Sequence, residues 1–330
     1  MSSVAKSGTS TVAPAGGTQT PGTTGGGKKK VHLSDRAKAE RALGWKLAGP
    51  AFVIMLAVTA YPILQAAYLS LFQYRLSDPA NRQFVGLGNY VTALTNWVFW
   101  KAVLVTVLIT VVTVVVELVL GFIIAMVMHR VVIPRKTLRT VVLIPYSIIT
   151  VVSAFSWYYA FSTSMGYANH WLNTLSFGLF PEKFDWFGNF WSSILIICLS
   201  EIWKTTPFMS LLLLAGLAQV DSVMEEAAKV DGASFLQILT KVILPNMKPA
   251  ILVALLFRTL DAFRIFDNIF IMTGGANDTA SFSLLTYNQT INRVEVGMGS
   301  ALSVLLFLSV VVIALLFIKG FKVDLAEGRS

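Results

Sequence analysis

The chain has 330 residues, of which 55% are hydrophobic and only 13% charged, and its formal net charge is +9. Soluble domains carry about 25% charged residues; here the apolar excess falls in long runs, which excludes an ordinary soluble enzyme and points to a polytopic membrane protein. The single cysteine, Cys198, excludes an internal disulfide, and His32, His129 and His170 are too scattered for a metal-ligand pattern.

Residues 1–44 are predicted to be a disordered basic tail. The stretch to Gly27 is rich in Gly, Thr, Ser, Pro and Ala and cannot bury enough apolar surface to fold. It contains no signal-peptide apolar core. Gly22, Gly27 and Lys28 imitate a phosphate loop, but Lys29 stands where a magnesium-binding hydroxyl belongs and no strand precedes it. Lys28 to Lys46 then supplies a cluster of positive charge ahead of the first apolar run.

Six apolar runs follow, at about residues 47–72, 102–128, 138–161, 190–218, 249–272 and 300–321. Each exceeds the ~20 residues that cross ~30 Å of hydrocarbon. Residues 45–322 thus read as one six-span, all-α domain, followed by a short tail at 323–330. Arg130, Arg135, Lys136 and Arg139 lie between spans two and three, and Lys229, Lys241 and Lys248 between spans four and five. The alternate loops hold fewer positive charges near the spans: Arg75, Arg82, Lys183 and Arg293. The positive-inside rule therefore predicts cytoplasmic termini and a cytoplasmic 220–245 segment. A basic surface can also mean nucleic acid, but clustering at span ends favours topology and membrane lipid.

The 220–245 segment is the most polar interruption of the apolar pattern. Glu226, Ala227 and Ala228 are good helix formers with a slim face. Asp231 and Gly232 end that helix, since glycine readily takes a left-handed turn. Apolar residues then recur at helical spacing to Val242, and Leu244-Pro245 is expected to close the segment.

Glu226-Ala227-Ala228, three residues, Gly232, nine residues and Val242-x-Leu244-Pro245 together resemble the EAA loop. That loop marks permease subunits of binding-protein-dependent ABC importers. The departure is Val242, where the family usually has isoleucine. Phe84-Val85-Gly86-Leu87-Gly88-Asn89-Tyr90 and Thr273-Gly274-Gly275 resemble further stretches of the sugar permeases of the MalF/UgpA type, in the right order. Trp203 to Met209 and Leu256 to Asn268 are particularly similar to the trehalose-importing members. The resemblance implies a type I importer permease fold and a disaccharide substrate, with trehalose leading and maltose or glycerol phosphate as alternatives. It implies a second homologous permease, two cytosolic ATPase subunits that bind ATP and magnesium, and an extracytoplasmic sugar-binding lipoprotein. Coupling to the ATPase would fall to Glu226, Ala227, Ala228, Asp231, Gly232, Leu244 and Pro245. An ion-coupled secondary transporter is the other class, but it would need a coupling-ion site and internal repeats, and neither is evident.

Charges inside spans are costly and usually line a path or pair with one another. The fifth run carries Arg258, Asp261, Arg264 and Asp267 at three-residue steps, a spacing that invites ion pairs along one helix. Asp261, Arg264, Asp267 and Asn268 are candidates for binding sugar hydroxyls, with Arg258 alternatively a structural partner of Asp261. In the fourth run Glu201 and Lys204 stand at pairing distance, and Lys204 is a further candidate ligand. Tyr158, between Trp157 and Tyr159, belongs either to an interfacial aromatic belt or to a sugar-stacking platform. Glu117 in the second run reads as a structural hydrogen-bond partner. No hydrolase motif and no usable phosphate loop is present, so the expectation is a transport subunit without a cofactor or ATPase site of its own.

Overall fold

A computed structural model of the protein describes residues 35–130 and 135–320. The predicted tail before residue 35 and the C-terminal stretch from 321 lie outside the described residues, as does the 131–134 linker. Two compact units divide the chain, Met1–Val58 and Thr59–Ser330. Helix α1 (Asp35–Leu69) supplies every described residue of the first unit and opens the second. Its Leu43–Leu69 portion is long and apolar enough to cross a membrane.

In the second unit an antiparallel hairpin, β1 (Phe72–Arg75) and β2 (Asp78–Phe84), follows α1. Helix α2 (Gly88–Thr95) docks on its base. There Asn89 donates to the carbonyls of Ser70 (2.8 Å) and Phe72 (2.9 Å), while the Tyr90 and Ser70 hydroxyls meet at 2.6 Å. Asn89 and Tyr90 of the Phe84–Tyr90 stretch thus brace the end of the first span.

Among the described residues, four further single helices are long and apolar enough to cross a membrane: Trp97–Arg130, Phe190–Leu217, Phe235–Met272 and Val296–Gly320. Helix α3 (Trp97–Arg130) packs along α7 (Phe190–Leu217), which is buried around most of its circumference. Its Glu201, Lys204, Thr205 and Thr206 suit a central place, since polar side chains within a span turn to the bundle interior and not to lipid. Small residues permit the close approach: a Cβ on Gly121 would meet the Met209 side chain at 2.8 Å. One apolar cluster, around Ile196, Ile197 and Ile269, fills one end of this packing; another, around Met209, Leu213 and Met247, fills the other.

Two predicted spans are not straight helices. The third consists of α4 (Arg135–Ser147) and α5 (Thr150–Phe161), with an 82° bend between Ser147 and Thr150. Pro145 lies in the last turn of α4, where its missing N–H weakens continuation. Beyond α5, the short α6 (Ala168–Leu175) leads to α7.

After α7 come α8 (Ser222–Val230), α9 (Phe235–Ile238), a π-helical turn at Leu239–Ile243 and α10 (Leu244–Ala262). Leu244-Pro245 therefore does not close the segment. The chain is helical from Phe235 to Ala262, and the π turn sits just before Pro245. The Leu244 N–H reaches back five residues to the Leu239 carbonyl, an altered ladder that accommodates a ring unable to donate.

The fifth span does break, farther on. Phe263–Phe266 form a tight turn in which Arg264 and Ile265 donate to carbonyls three residues back, and α11 (Asp267–Met272) restarts the helix. The released Ile265 carbonyl accepts the Ser281 hydroxyl at 2.9 Å. Helix α12 (Phe282–Tyr287), a second π turn at Asn288–Asn292 and the last span, α13 (Val296–Gly320), complete the described chain.

Candidate functional site

The break after Ala262 faces α7 and the bend between α4 and α5. Between them lies a polar cavity of about 400 Å³, within the ~300–1,000 Å³ range of small-molecule sites. Lys204, Asp261, Arg264, Asp267 and Asn268 converge on it, with Tyr146 on the α4 side.

Behind this cavity Arg258 is fully buried. Its guanidinium contacts both Glu117 oxygens (Nη2 to Oε1 3.0 Å), donates to Glu201 Oε1 at 2.8 Å and to Asp261 Oδ2 at 2.9 Å. Glu117 Oε1 also accepts the Thr205 hydroxyl at 2.7 Å, and Glu201 Oε2 accepts Asn268 Nδ2 at 2.7 Å. One arginine thereby ties α3, α7 and α10 together. Its planar fork suits several carboxylates at once, and a buried charge is tolerated only when so satisfied.

The residues facing the cavity are less fully satisfied. Lys204 is only 7% exposed, yet no carboxylate lies within ion-pair distance of it among the described residues. Its Nζ lies 5.6 Å from the Tyr146 ring centroid, a cation–π contact. Asn268 is 1% exposed, and its Oδ1 has no hydrogen-bond partner among the described residues. Asp261 keeps its side chain largely exposed, and Arg264 Nε reaches only the Leu260 carbonyl at 3.2 Å. Buried donors and acceptors without partners are expensive, so their presence around a cavity marks where a polar ligand would fit.

The Val223–Pro245 segment is a second ordered feature. Asp221 caps α8 by accepting from the Val223 N–H at 2.9 Å. At the other end the Ala233 N–H reaches the Ala228 carbonyl (2.9 Å) and the Gly232 N–H the Lys229 carbonyl (3.1 Å), the paired bonds of a Schellman cap. Gly232 takes φ +76° to make this possible. Ser234 and Gln237 form a capping box that starts α9. Val223, Ala227 and Val230, at helical spacing, form an exposed apolar stripe, flanked by exposed Glu226; Val230 is 87% exposed.

Residues 117–321 match the family model "Binding-protein-dependent transport system inner membrane component". The chain belongs to this family. It is therefore a multi-pass membrane protein and the permease component of a binding-protein-dependent transport system. The trehalose transport system permease protein SugA of Mycobacterium tuberculosis is 53% identical over 88% of this chain and 92% of its own length. The trehalose/maltose transport system permease protein MalF of Thermococcus litoralis is 37% identical over 87% and 97%. Among solved structures, a bacterial ABC transporter that imports the acidic polysaccharide alginate aligns with a TM-score of 0.73 at 20% identity, covering 88% of this chain and all of that one.

In the permease, five of the six candidate ligands from the sequence meet at one cavity: Asp261, Arg264, Asp267, Asn268 and Lys204. Tyr158 does not join them. It leans on Phe187 (centroids 5.2 Å apart) and lines a separate hollow with Lys183 and Asp185. Of the two readings of Glu201 and Lys204, the local pair does not form: Glu201 is held by Arg258 and Asn268 instead. Of the ion pairs expected along the fifth span, Arg258–Asp261 forms. The helix break after Ala262 disrupts the three-residue spacing beyond it. Tyr146 was missed; its position beside Pro145 was a signal, since a helix bend often borders a cavity.

Proposed function

We propose that this permease carries a disaccharide, trehalose first, through the α7/α10–α11 cavity into the cytoplasm, driven by ATP hydrolysis in partner subunits. The observation that carries the reading is the cavity itself, where, among the described residues, Lys204 has no carboxylate partner and Asn268 Oδ1 no hydrogen-bond partner, beside the Tyr146 ring and the exposed Asp261 carboxylate. Such a set suits a neutral polyol: Lys204 Nζ donates, Asn268 Oδ1 and Asp261 accept, and Arg264 and Asp267 border the opening. The assignment of trehalose is supported by the 53% identity to SugA.

In this reading both termini and the Val223–Pro245 segment are cytoplasmic, as the distribution of Lys and Arg favours. Helix α8 seats its Val223–Ala227–Val230 stripe and Glu226 in a cleft of one of two ATPase subunits. Asp231 and Gly232 fix the angle between α8 and α9. The unbroken helix from Phe235 through Leu244 and Pro245 to Ala262 then carries any tilt of α9 to the residue before the cavity break. A second, homologous permease completes the pathway, and an extracytoplasmic binding lipoprotein delivers the sugar.

The test is ATPase activity of the reconstituted importer with its binding protein loaded with trehalose or with maltose. Stimulation by trehalose alone is the expected result. Stimulation by maltose alone overturns the substrate, and transport that persists without ATP under an ion gradient overturns the importer class.

A further inference from the structure

The side of α8 that carries Glu225 and Lys229 lies away from the proposed ATPase stripe and borders a recess of about 600 Å³. These two residues, one helical turn apart, share it with His129 and Arg130 at the end of α3 and with Phe235 and Ile238 of α9. The floor is apolar, since Ile238 and Ile243 are buried there. The rim is basic. Arg130 stacks its guanidinium 4.7 Å from the Phe235 ring centroid, and neither Arg130 nor Lys229 has a carboxylate within ion-pair distance among the described residues. Phe235, which lines it, and the next residue, Leu236, are 50% and 66% exposed.

This mixture selects among occupants. Free phosphate would use the cations but not the apolar floor. An acidic protein loop would use the cations, but its polar backbone would be poorly matched to the apolar floor. A phospholipid answers both the cations and the apolar surface: its phosphodiester meets Arg130 and Lys229, which outnumber the one carboxylate, Glu225, and its acyl stems cover Phe235 and Leu236. The height is also suitable. The apolar run of α3 ends at Met128, so His129 and Arg130 occupy the last turn, where head groups begin.

We propose that this recess binds the head group of an anionic phospholipid, and that the bound lipid braces α8–α9 against the end of α3. The proposal rests on the cytoplasmic placement of the α8–α9 segment given above. Basic recesses between spans on that side attract anionic lipids. The lipid would thus set how faithfully movement of α8 reaches the spans.

The test uses the complete importer in nanodiscs of phosphatidylcholine alone, and of phosphatidylcholine and phosphatidylglycerol in equal parts. A photoactivatable phosphatidylglycerol should label the α3 end and α9. Each cation removed should weaken that labelling about fivefold, so Arg130→Gln with Lys229→Gln should nearly abolish it. ATPase stimulation by the loaded binding protein should be several-fold higher with phosphatidylglycerol, and the double variant should lose that difference. Both side chains are exposed, so the variant should still fold. Equal labelling by a phosphatidylcholine probe overturns the proposal. So does a variant that sheds its ATPase subunits with labelling unchanged, which would assign the recess to the ATPase. Ser234→Cys checks the orientation separately: labelling by an impermeant maleimide from outside the cell overturns the topology, whereas cytoplasmic labelling without lipid crosslinks overturns the lipid site alone.

Discussion

The Arg258 cluster and the α8–α9 turn are both polar regions of an apolar chain, but they are satisfied in opposite ways. Around Arg258 every charge is met from within, by carboxylates of three helices. In α8–α9 only the helix ends are met from within, by the Asp221, Gly232 and Ser234 caps, and the apolar stripe is left outward. The first arrangement fixes the spans to one another. The second keeps a short rigid body whose exposed face needs a partner. Variants in the two regions should therefore fail differently: the first in stability, the second in coupling.

The largest effect should come from Arg258→Met. It leaves Glu117 and Glu201 buried without their cation, and breaking such a pair costs about 3–5 kcal/mol. The purified permease should melt far below the unmodified protein or fail to accumulate. Adding Glu117→Gln and Glu201→Gln should recover much of the melting temperature, because the stranded charges are gone. If Arg258→Met melts normally, the cluster is not what holds the spans.

Next come the cavity residues. Lys204→Met and Asn268→Leu each remove a group able to bond a sugar hydroxyl, worth about 1.5–3 kcal/mol for the charged one and about 1 for the amide. Transport should fall about tenfold or more for Lys204→Met. The melting temperature should change little for Lys204→Met, which has no ion pair to lose, but more for Asn268→Leu, which strands Glu201 Oε2. Equal transport by both variants and the unmodified importer would remove this cavity from the pathway.

Gly232→Val tests the other region. Among the described residues nothing lies within 4 Å of an added Cβ, so the cost is conformational. At φ +76° it should be about 1–2 kcal/mol. The variant should remain in the membrane and bind ATPase subunits, yet hydrolyse ATP with little uptake. Asn tolerates the left-handed region better, so Gly232→Asn should restore part of the coupling. If valine and asparagine behave alike, the turn angle is not what matters.

The two regions also differed in how much the sequence disclosed. The α8–α9 turn is local: its caps and its glycine lie within fourteen residues of one another, and a linear motif records the glycine and the helix before it, though not the Asp221 and Ser234 caps. The spans were legible for a similar reason, since hydropathy is summed along the chain. The Arg258 cluster joins residues 141 positions apart, and nothing in a linear pattern gives the rotation of one helix against another. Hence the spacing of Glu201 and Lys204 leaves a local pair open, and only the structure gives Glu201 to Arg258. The break at Phe263–Phe266 was equally hidden, because no Gly or Pro lies there. It is held by tertiary bonds, from Ser281 to the Ile265 carbonyl and from Asn268 to Glu201. The Trp157–Tyr159 run is compatible with a belt or a platform alike, and the contact with Phe187 that turns the Tyr158 ring away from the cavity is again tertiary.

The smallest effect lies within the capping box, and the geometry ranks its two halves. Gln237 Oε1 accepts the Ser234 N–H at 2.7 Å, whereas Ser234 Oγ accepts the Gln237 N–H at 3.4 Å. The first bond is near optimal and the second is at the limit. Loss of an N-cap costs about 1 kcal/mol, and here Gln237→Met should cost more than Ser234→Ala. A shift of that size multiplies local opening about fivefold. Hydrogen exchange of the α9 amides should therefore quicken about fivefold for Gln237→Met and less for Ser234→Ala, with global melting unchanged. The reverse order would mean that the serine hydroxyl, and not the glutamine amide, starts the helix that leads to the cavity.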